Sequence, residues 1–243
     1  MRRRLLLGCV LALTLLSCGG EGDLRDYYYP VRELTGGLVY EYARTGTLPG
    51  PDYEYRYFLG VDQDTALYLS TTLYSPTLAP EQLVRERIFN EGSVLESLTL
   101  LGADSAGVAI PAPADIERGA VFPFRPGGAA APGGYRVRLT PPDNADATMV
   151  ITLERRYRGD TTVSVLGGAA GAVVFDLSGE VSLRDPVEGD ISPTFTGYEI
   201  YARGIGLVEY RRDLGAAGSL GGRLVRRLPM AEFAGAIPPA PNR

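Results

Sequence analysis

From Tyr27 onward the apolar residues of this chain recur with period two, and that pattern limits the possible fold more than any other feature. Alternation at every second position sorts side chains onto the two sides of an extended strand, whereas an amphipathic helix needs apolar residues three and four apart. Leu38-Val39-Tyr40-Glu41-Tyr42-Ala43-Arg44 puts Leu38, Tyr40 and Tyr42 on one face, and Tyr53-Glu54-Tyr55-Arg56-Tyr57 puts three tyrosines on one face and the charges on the other. Residues 66–74 are apolar and Thr-rich. Residues 83–89 and 93–101 flank Asn90-Glu91-Gly92 and read as a hairpin. A helix over 80–89 is the rival there, because Glu and Arg are good helix formers. Strands are expected again over 135–140, 148–157, 161–166 and 172–183, with turns at Pro141 to Asn144 and at Arg158-Gly159-Asp160. Residues 197–212 read as strand, bend and strand, with Gly204 and Gly206 at the bend, and residues 220–228 form a last strand. No amphipathic helix is long enough to organise a bundle.

Residues 102–134 break the pattern. Pro111, Pro113, Pro123, Pro126 and Pro132, with the Gly127-Gly128-Ala129-Ala130-Ala131 run, oppose long regular structure. This stretch reads as a long connection, either a linker between halves or a loop over a cavity mouth, with Val121-Phe122-Pro123-Phe124 tucked onto the core. About ten antiparallel strands exceed what a flat open sheet holds without long exposed edges. The expected fold is therefore all-β: one antiparallel sheet curled into a half-barrel or barrel over residues 27–243, with a β-sandwich as the alternative.

The N-terminus has a different logic. Arg2, Arg3 and Arg4 precede an apolar run from Leu5 to Leu16, too short to span a bilayer and laid out as a secretory signal peptide over residues 1–17. Leu15-Leu16-Ser17-Cys18 resembles the lipobox of bacterial lipoproteins. That resemblance implies cleavage before Cys18, diacylglycerol on its thiol, further acylation of its amine by a chain such as palmitate, and attachment to a membrane. Residues 18–26, rich in Gly and acid, would then be a flexible tether. Gly19 stands where aspartate marks inner-membrane retention in one large bacterial group, which favours the outer membrane of the cell envelope.

Composition removes many mechanisms. The chain has no His, no Trp and no Lys, and its two cysteines are Cys9, in the signal segment, and Cys18. Without His there is no imidazole base, no Ser-His-Asp triad and no histidine-held metal. Without Lys there is no Schiff base and no P-loop lysine. No pair of cysteines is left for a disulfide. The formal net charge of −5 gives no electrostatic footprint for nucleic acid. The mock motif Ala103-Asp104-Ser105-Ala106-Gly107 lacks both its first glycine and a base. The acidic spacings Asp62-x-Asp64, Asp143-x-x-Asp146 and Asp185-x-x-Glu188-x-Asp190 do not match a calcium loop and read as turns. No cofactor and no metal is implied.

What remains is binding. Ten of the 15 tyrosines lie between Tyr27 and Tyr74. Tyr40, Tyr42, Tyr53, Tyr55 and Tyr57 are the candidate ligand-binding residues, as an aromatic lining for an apolar or amphiphilic ligand, and the competing account is that Tyr suits half-buried strands. The arginine groups Arg85/Arg87, Arg155/Arg156/Arg158, Arg211/Arg212 and Arg223/Arg226/Arg227 sit beside acids and read as solvated faces with cross-strand ion pairs. Tyr201-Ala202-Arg203-Gly204-Ile205-Gly206-Leu207-Val208 resembles a recurring ending of uncharacterised bacterial envelope lipoproteins, similar in architecture to the LolA/LolB carriers. That resemblance implies a sheet curled around an apolar cavity under a lid, and no catalytic residue. The sequence reading is a non-enzymatic lipoprotein that binds a lipid or hydrophobic ligand. Its alternatives are an assembly lipoprotein docked on an envelope protein partner and a carboxylate-dependent hydrolase.

Overall fold

The computed structural model describes residues 22–75, 77–103, 108–125 and 133–235. The expected signal segment 1–17, Cys18, the first part of the expected tether, residues 104–107, the Gly127 to Ala131 run and the tail beyond residue 235 lie outside the described residues.

One antiparallel sheet of fourteen strands accounts for most of the chain. In chain order these are β1 (Leu38–Arg44), β2 (Tyr53–Gln63), β3 (Ala66–Tyr74), β4 (Pro80–Ile88), β5 (Gly92–Ala103), β6 (Ala109–Pro113), β7 (Asp115–Arg118), β8 (Ala120–Pro123), β9 (Gly133–Leu139), β10 (Thr148–Val165), β11 (Gly168–Arg184), β12 (Thr194–Ala202), β13 (Gly206–Asp213) and β14 (Ser219–Pro229). Their order across the sheet is β6-β5-β4-β3-β2-β1-β14-β13-β12-β11-β10-β9-β7. Each neighbouring pair except β1 with β14, β5 with β8, and β7 with β9 joins consecutive strands. The sheet curls until its ends meet.

The Pro-rich stretch makes that closure. β6 pairs with residues 99–103 of β5 and β8 with residues 92–94, while β7 between them pairs with β9. The amide of Ala114 donates to the Leu98 carbonyl and that of Leu95 to the Gly119 carbonyl, so residues 109–123 follow β5 along its length. The expected linker or loop is thus a broken wall strand. Prolines in it hid the period-two signal, and the same prolines blunt the free edge of β6. Residues 80–88 are strand and pair with β5, as the hairpin reading expected. One further expectation changes. Arg158-Gly159-Asp160 is a register shift inside the 18-residue β10 rather than a turn, and Gly159 (φ +152°) takes the strain.

Residues 24–36 plug one end of the barrel. Two 3-10 turns, Arg25–Tyr27 and Val31–Gly36, carry Leu24, Tyr28, Val31 and Leu34 into the main core. The rings of Tyr28 and Tyr29 meet Phe122, Phe124, Phe58 and Tyr201 at centroid separations of 4.4–6.4 Å. Gly60 of β2 admits this plug, since a Cβ there would run into the Val31 carbonyl. Gly206 combines φ +97° with a Tyr29 ring laid where its Cβ would stand. The bend glycine read from the sequence is therefore also a packing requirement.

The outer wall is laced with charged pairs: Arg226 with Glu41, Arg223 with Glu209, Arg136 and Arg138 with Glu117, Arg158 with Asp176, and Arg85 with Glu96. A lipid-facing barrel wall is apolar, so this one faces water. A six-residue helix, α1 (Met230–Gly235), lies on it, with Phe233 against Tyr55 and Tyr74 at 5.0 and 5.8 Å. Among the described residues, no helix is long and apolar enough to cross a membrane.

A two-sided cavity inside the barrel

The barrel interior holds a cavity of about 440 Å3, within the 300–1,000 Å3 range of small-molecule sites. Tyr28 and Tyr29 of the plug, with Phe58 of β2 and Tyr201 of β12, form its floor. Its far end reaches Leu73, Gln82, Val181, Phe195, Leu214 and Leu220, all near strand ends away from the plug. The wall has two characters. On β3 to β5 and β8 to β10 it is mainly apolar: Thr71, Val84, Leu95, Leu98, Val121, Tyr135, Ile151 and Leu153. On β2, β12 and β13 it carries Glu54, Arg56, Glu199, Tyr210 and Arg212, with Arg155 of β10 joined to them.

The charges form two ion-pair groups. Arg155 donates through Nε and Nη2 to Glu199 at 2.6 and 3.4 Å, and through Nη1 to the Val121 carbonyl at 2.9 Å. Glu199 also accepts from the Tyr201 hydroxyl at 2.9 Å and from Arg212 Nη2 at 3.4 Å. All three guanidinium nitrogens of Arg155 and both oxygens of Glu199 are engaged, and the two side chains are 8% and 2% exposed. Across the lumen, Arg56 Nε donates to Glu54, whose other oxygen accepts from the Tyr210 hydroxyl at 2.7 Å. The guanidinium carbons of Arg56 and Arg212 stand 4.9 and 5.2 Å from the Tyr210 ring centre, within cation–π reach.

Glu86 is the exception. It accepts from the hydroxyls of Tyr28 (2.7 Å) and Ser93 (2.6 Å), and among the described residues no arginine forms an ion pair with it. Burial, the largest influence, raises its carboxyl above the usual value. Burial also works against ionised Glu54 and Glu199. There Arg56 with Tyr210, and Arg155 with Arg212, outweigh it and hold both carboxyls below the usual value. Burial, joined by Glu54 and opposed by Arg56, pushes the Tyr210 phenol up to about 12.

These opposite shifts predict opposite pH effects. The stability tied to Glu86 is complete below the ordinary carboxylate value of about 4.3 and is lost as pH rises through its raised folded value. The contributions of Glu54 and Glu199 are present above that ordinary value and are lost as pH falls through their lowered values. Glu86→Gln keeps an acceptor for Tyr28 and Ser93. It is expected to unfold at higher urea than wild type at pH 7, the gap closing as pH falls below about 4. Equal midpoints at pH 7 would contradict this account.

The tyrosines named from the sequence fall elsewhere. Tyr40 and Tyr42 point inward but are fully buried, and their hydroxyls donate to the carbonyls of Ile205 and Leu207 at 2.8 and 2.9 Å. They brace the β12–β13 bend against β1. Tyr53, Tyr55 and Tyr57 face outward; Tyr55 and Tyr57 pack with the α1 cluster, and Tyr53 is exposed. None of the five lines the cavity. Arg155 and Arg212, read as solvated, are inside the barrel. The lining charges were missed because their partners are distant in sequence: 44 residues separate Arg155 from Glu199, and 156 separate Glu54 from Tyr210. The one local hint was Glu54 and Arg56 on the same side of one strand. Asp185, part of an acidic spacing, accepts from the amides of Val187 and Glu188 and from Asn144. Those bonds hold its carboxyl below the usual value.

No family model matches the sequence, and no curated protein matches it. Among solved structures, a candidate lipoprotein from Parabacteroides distasonis superposes with a TM-score of 0.52 at 12% identity, covering 83% of this chain and 98% of that one. A candidate exported protein with a YmcC-like fold from Bacteroides fragilis gives 0.49 at 14% identity, over 79% and 95% of the two chains. The first likeness is one of fold.

Proposed function

We propose that this chain is a non-catalytic binding module of the bacterial envelope, held to a membrane by lipid on Cys18, that takes an apolar or amphiphilic ligand into the barrel. The observation that carries the reading is the cavity of about 440 Å3 with one apolar wall and one charged wall. The lipobox-like Leu15-Leu16-Ser17-Cys18 supports the anchor, and Gly19 supports the outer membrane as its destination. The Leu24 amide is fixed to the Phe124 carbonyl at the plug. Six residues separate Leu24 from Cys18, a reach of about 20 Å at most. The plugged end would therefore sit at the bilayer, with the cavity mouth turned away from it.

The direct test is titration of the purified chain carrying Cys18→Ser with the neutral probe N-phenyl-1-naphthylamine. Saturable fluorescence enhancement, lost in a Leu98→Arg variant that fills the apolar wall, is the expected result. No enhancement above a denatured control would end the reading. Metabolic labelling with radioactive palmitate should mark wild type and leave Cys18→Ser unlabelled.

One observation favours a second reading. Glu86, with its pKa raised, and Glu54 and Glu199, with theirs lowered, line the same cavity, and such a split is how carboxylate hydrolases divide acid from base. The protein bonds already held by Glu54 and Glu199 favour a structural role for them. Turnover of aryl glycosides that disappears in Glu86→Gln would establish the hydrolase instead.

A further inference from the structure

The cavity's donors are unevenly spent, and this bears on the chemistry of its ligand. Arg155 uses every guanidinium nitrogen on Glu199 and Val121. Among the described residues, Arg56 hydrogen-bonds only through Nε to Glu54, and Arg212 only through Nη2 to Glu199. Both line the cavity, and their side chains remain 20% and 22% exposed. Two guanidinium groups with unspent N–H donors thus stand against one ring, that of Tyr210. The acceptor side is depleted. Both oxygens of Glu54 and both of Glu199 already receive protein donors. Glu86, the third lining carboxyl, already accepts from the Tyr28 and Ser93 hydroxyls. The lumen therefore presents spare cationic donors opposite an apolar wall.

We infer that the ligand is an anionic amphiphile, its carboxylate or phosphate head bound by the free N–H groups of Arg56 and Arg212 and its apolar tail laid along the wall of Val84, Leu98, Ile151 and Leu153. A planar guanidinium fork matches the oxygen pair of either head group and binds it more strongly than a neutral acceptor. Cationic heads would meet the same guanidinium groups, while the lining carboxyls already receive protein donors. This inference rests on the binding-module reading and narrows it to one class of head group.

The test compares four ligands with the same twelve-carbon tail, as competitors for N-phenyl-1-naphthylamine on the purified Cys18→Ser chain: dodecanoate, dodecyl phosphate, dodecanol and dodecyltrimethylammonium. All are used below their micelle-forming concentrations. At least one anion should compete about tenfold more tightly than dodecanol, the ammonium compound should be the weakest, and Arg212→Gln should remove the advantage of the anions while leaving dodecanol unchanged. The stronger of the two anions separates a fatty-acid-like head from a phosphate-like one. Arg56→Lys, which keeps the charge and loses the fork, serves as a second variant if Arg212→Gln lowers the melting temperature. Equal competition by all four heads, or preference for the ammonium head, would overturn the inference and leave the module reading intact. Binding of neither the probe nor dodecanol would overturn both.

Discussion

Glu199→Gln is expected to lower the unfolding free energy by about 3–5 kcal/mol, because it leaves the Arg155 charge inside the barrel without its counter-ion. The pair is almost wholly buried and bidentate, and Arg212 and Tyr201 converge on the same carboxylate. A domain of this kind has about 5–15 kcal/mol in total, so the variant should unfold at far lower urea. The double variant Arg155→Met/Glu199→Leu removes both charges, and most of the loss should be recovered, since well-packed apolar replacements of buried pairs are often neutral. A single variant within about 0.5 kcal/mol of wild type would mean that water reaches Arg155 and that the pair is not sealed in the wall.

Phe122→Ala is the second large effect, at about 3–5 kcal/mol. Phe122 sits on β8, where the sheet closes, and is 1% exposed. Its ring lies 4.8–5.1 Å from those of Tyr28 in the plug, Phe175 on β11 and Tyr201 on β12. Truncation opens a void at the point where closure, plug and far wall meet, and the protein interior relaxes only partly around such voids. Urea unfolding should show the loss. Limited proteolysis should cut residues 24–36 faster than in wild type. A stability loss without faster cutting there would separate the closure from the plug.

How much of this could be read from the chain depends on the range of the physics involved. Strand identity is local. Leu38-Val39-Tyr40-Glu41-Tyr42 and residues 66–74 show their strands by alternation alone, and positive φ at Gly204 and Gly206 suits the bend read at those glycines. Residues 109–123 show the opposite case. Their prolines mask alternation, and they become strands only because β5 and β9 supply hydrogen-bond partners on either side. The plug is similar: Tyr27, Tyr28 and Tyr29 stand at the start of the period-two pattern, yet Tyr27 ends a 3-10 turn and Tyr28 and Tyr29 follow it into the core, because the end of the barrel needs filling.

The candidate site divides along the same line. By itself the sequence determined an all-β chain, and it excluded histidine and lysine chemistry, since composition and alternation need no partner to be read. Only the tertiary structure decided which side of each strand faces in. In Tyr53-Glu54-Tyr55-Arg56-Tyr57 the alternation is unambiguous, and hydrophobicity alone would bury the tyrosines. The barrel buries Glu54 and Arg56 instead, because Tyr210 of β13 offers a hydroxyl and a ring face and Tyr42 of the neighbouring β1 a second ring face, while Phe233 covers Tyr55 from outside. A period of two fixes that neighbours point apart; which of the two directions is the interior depends on contacts more than 150 residues away.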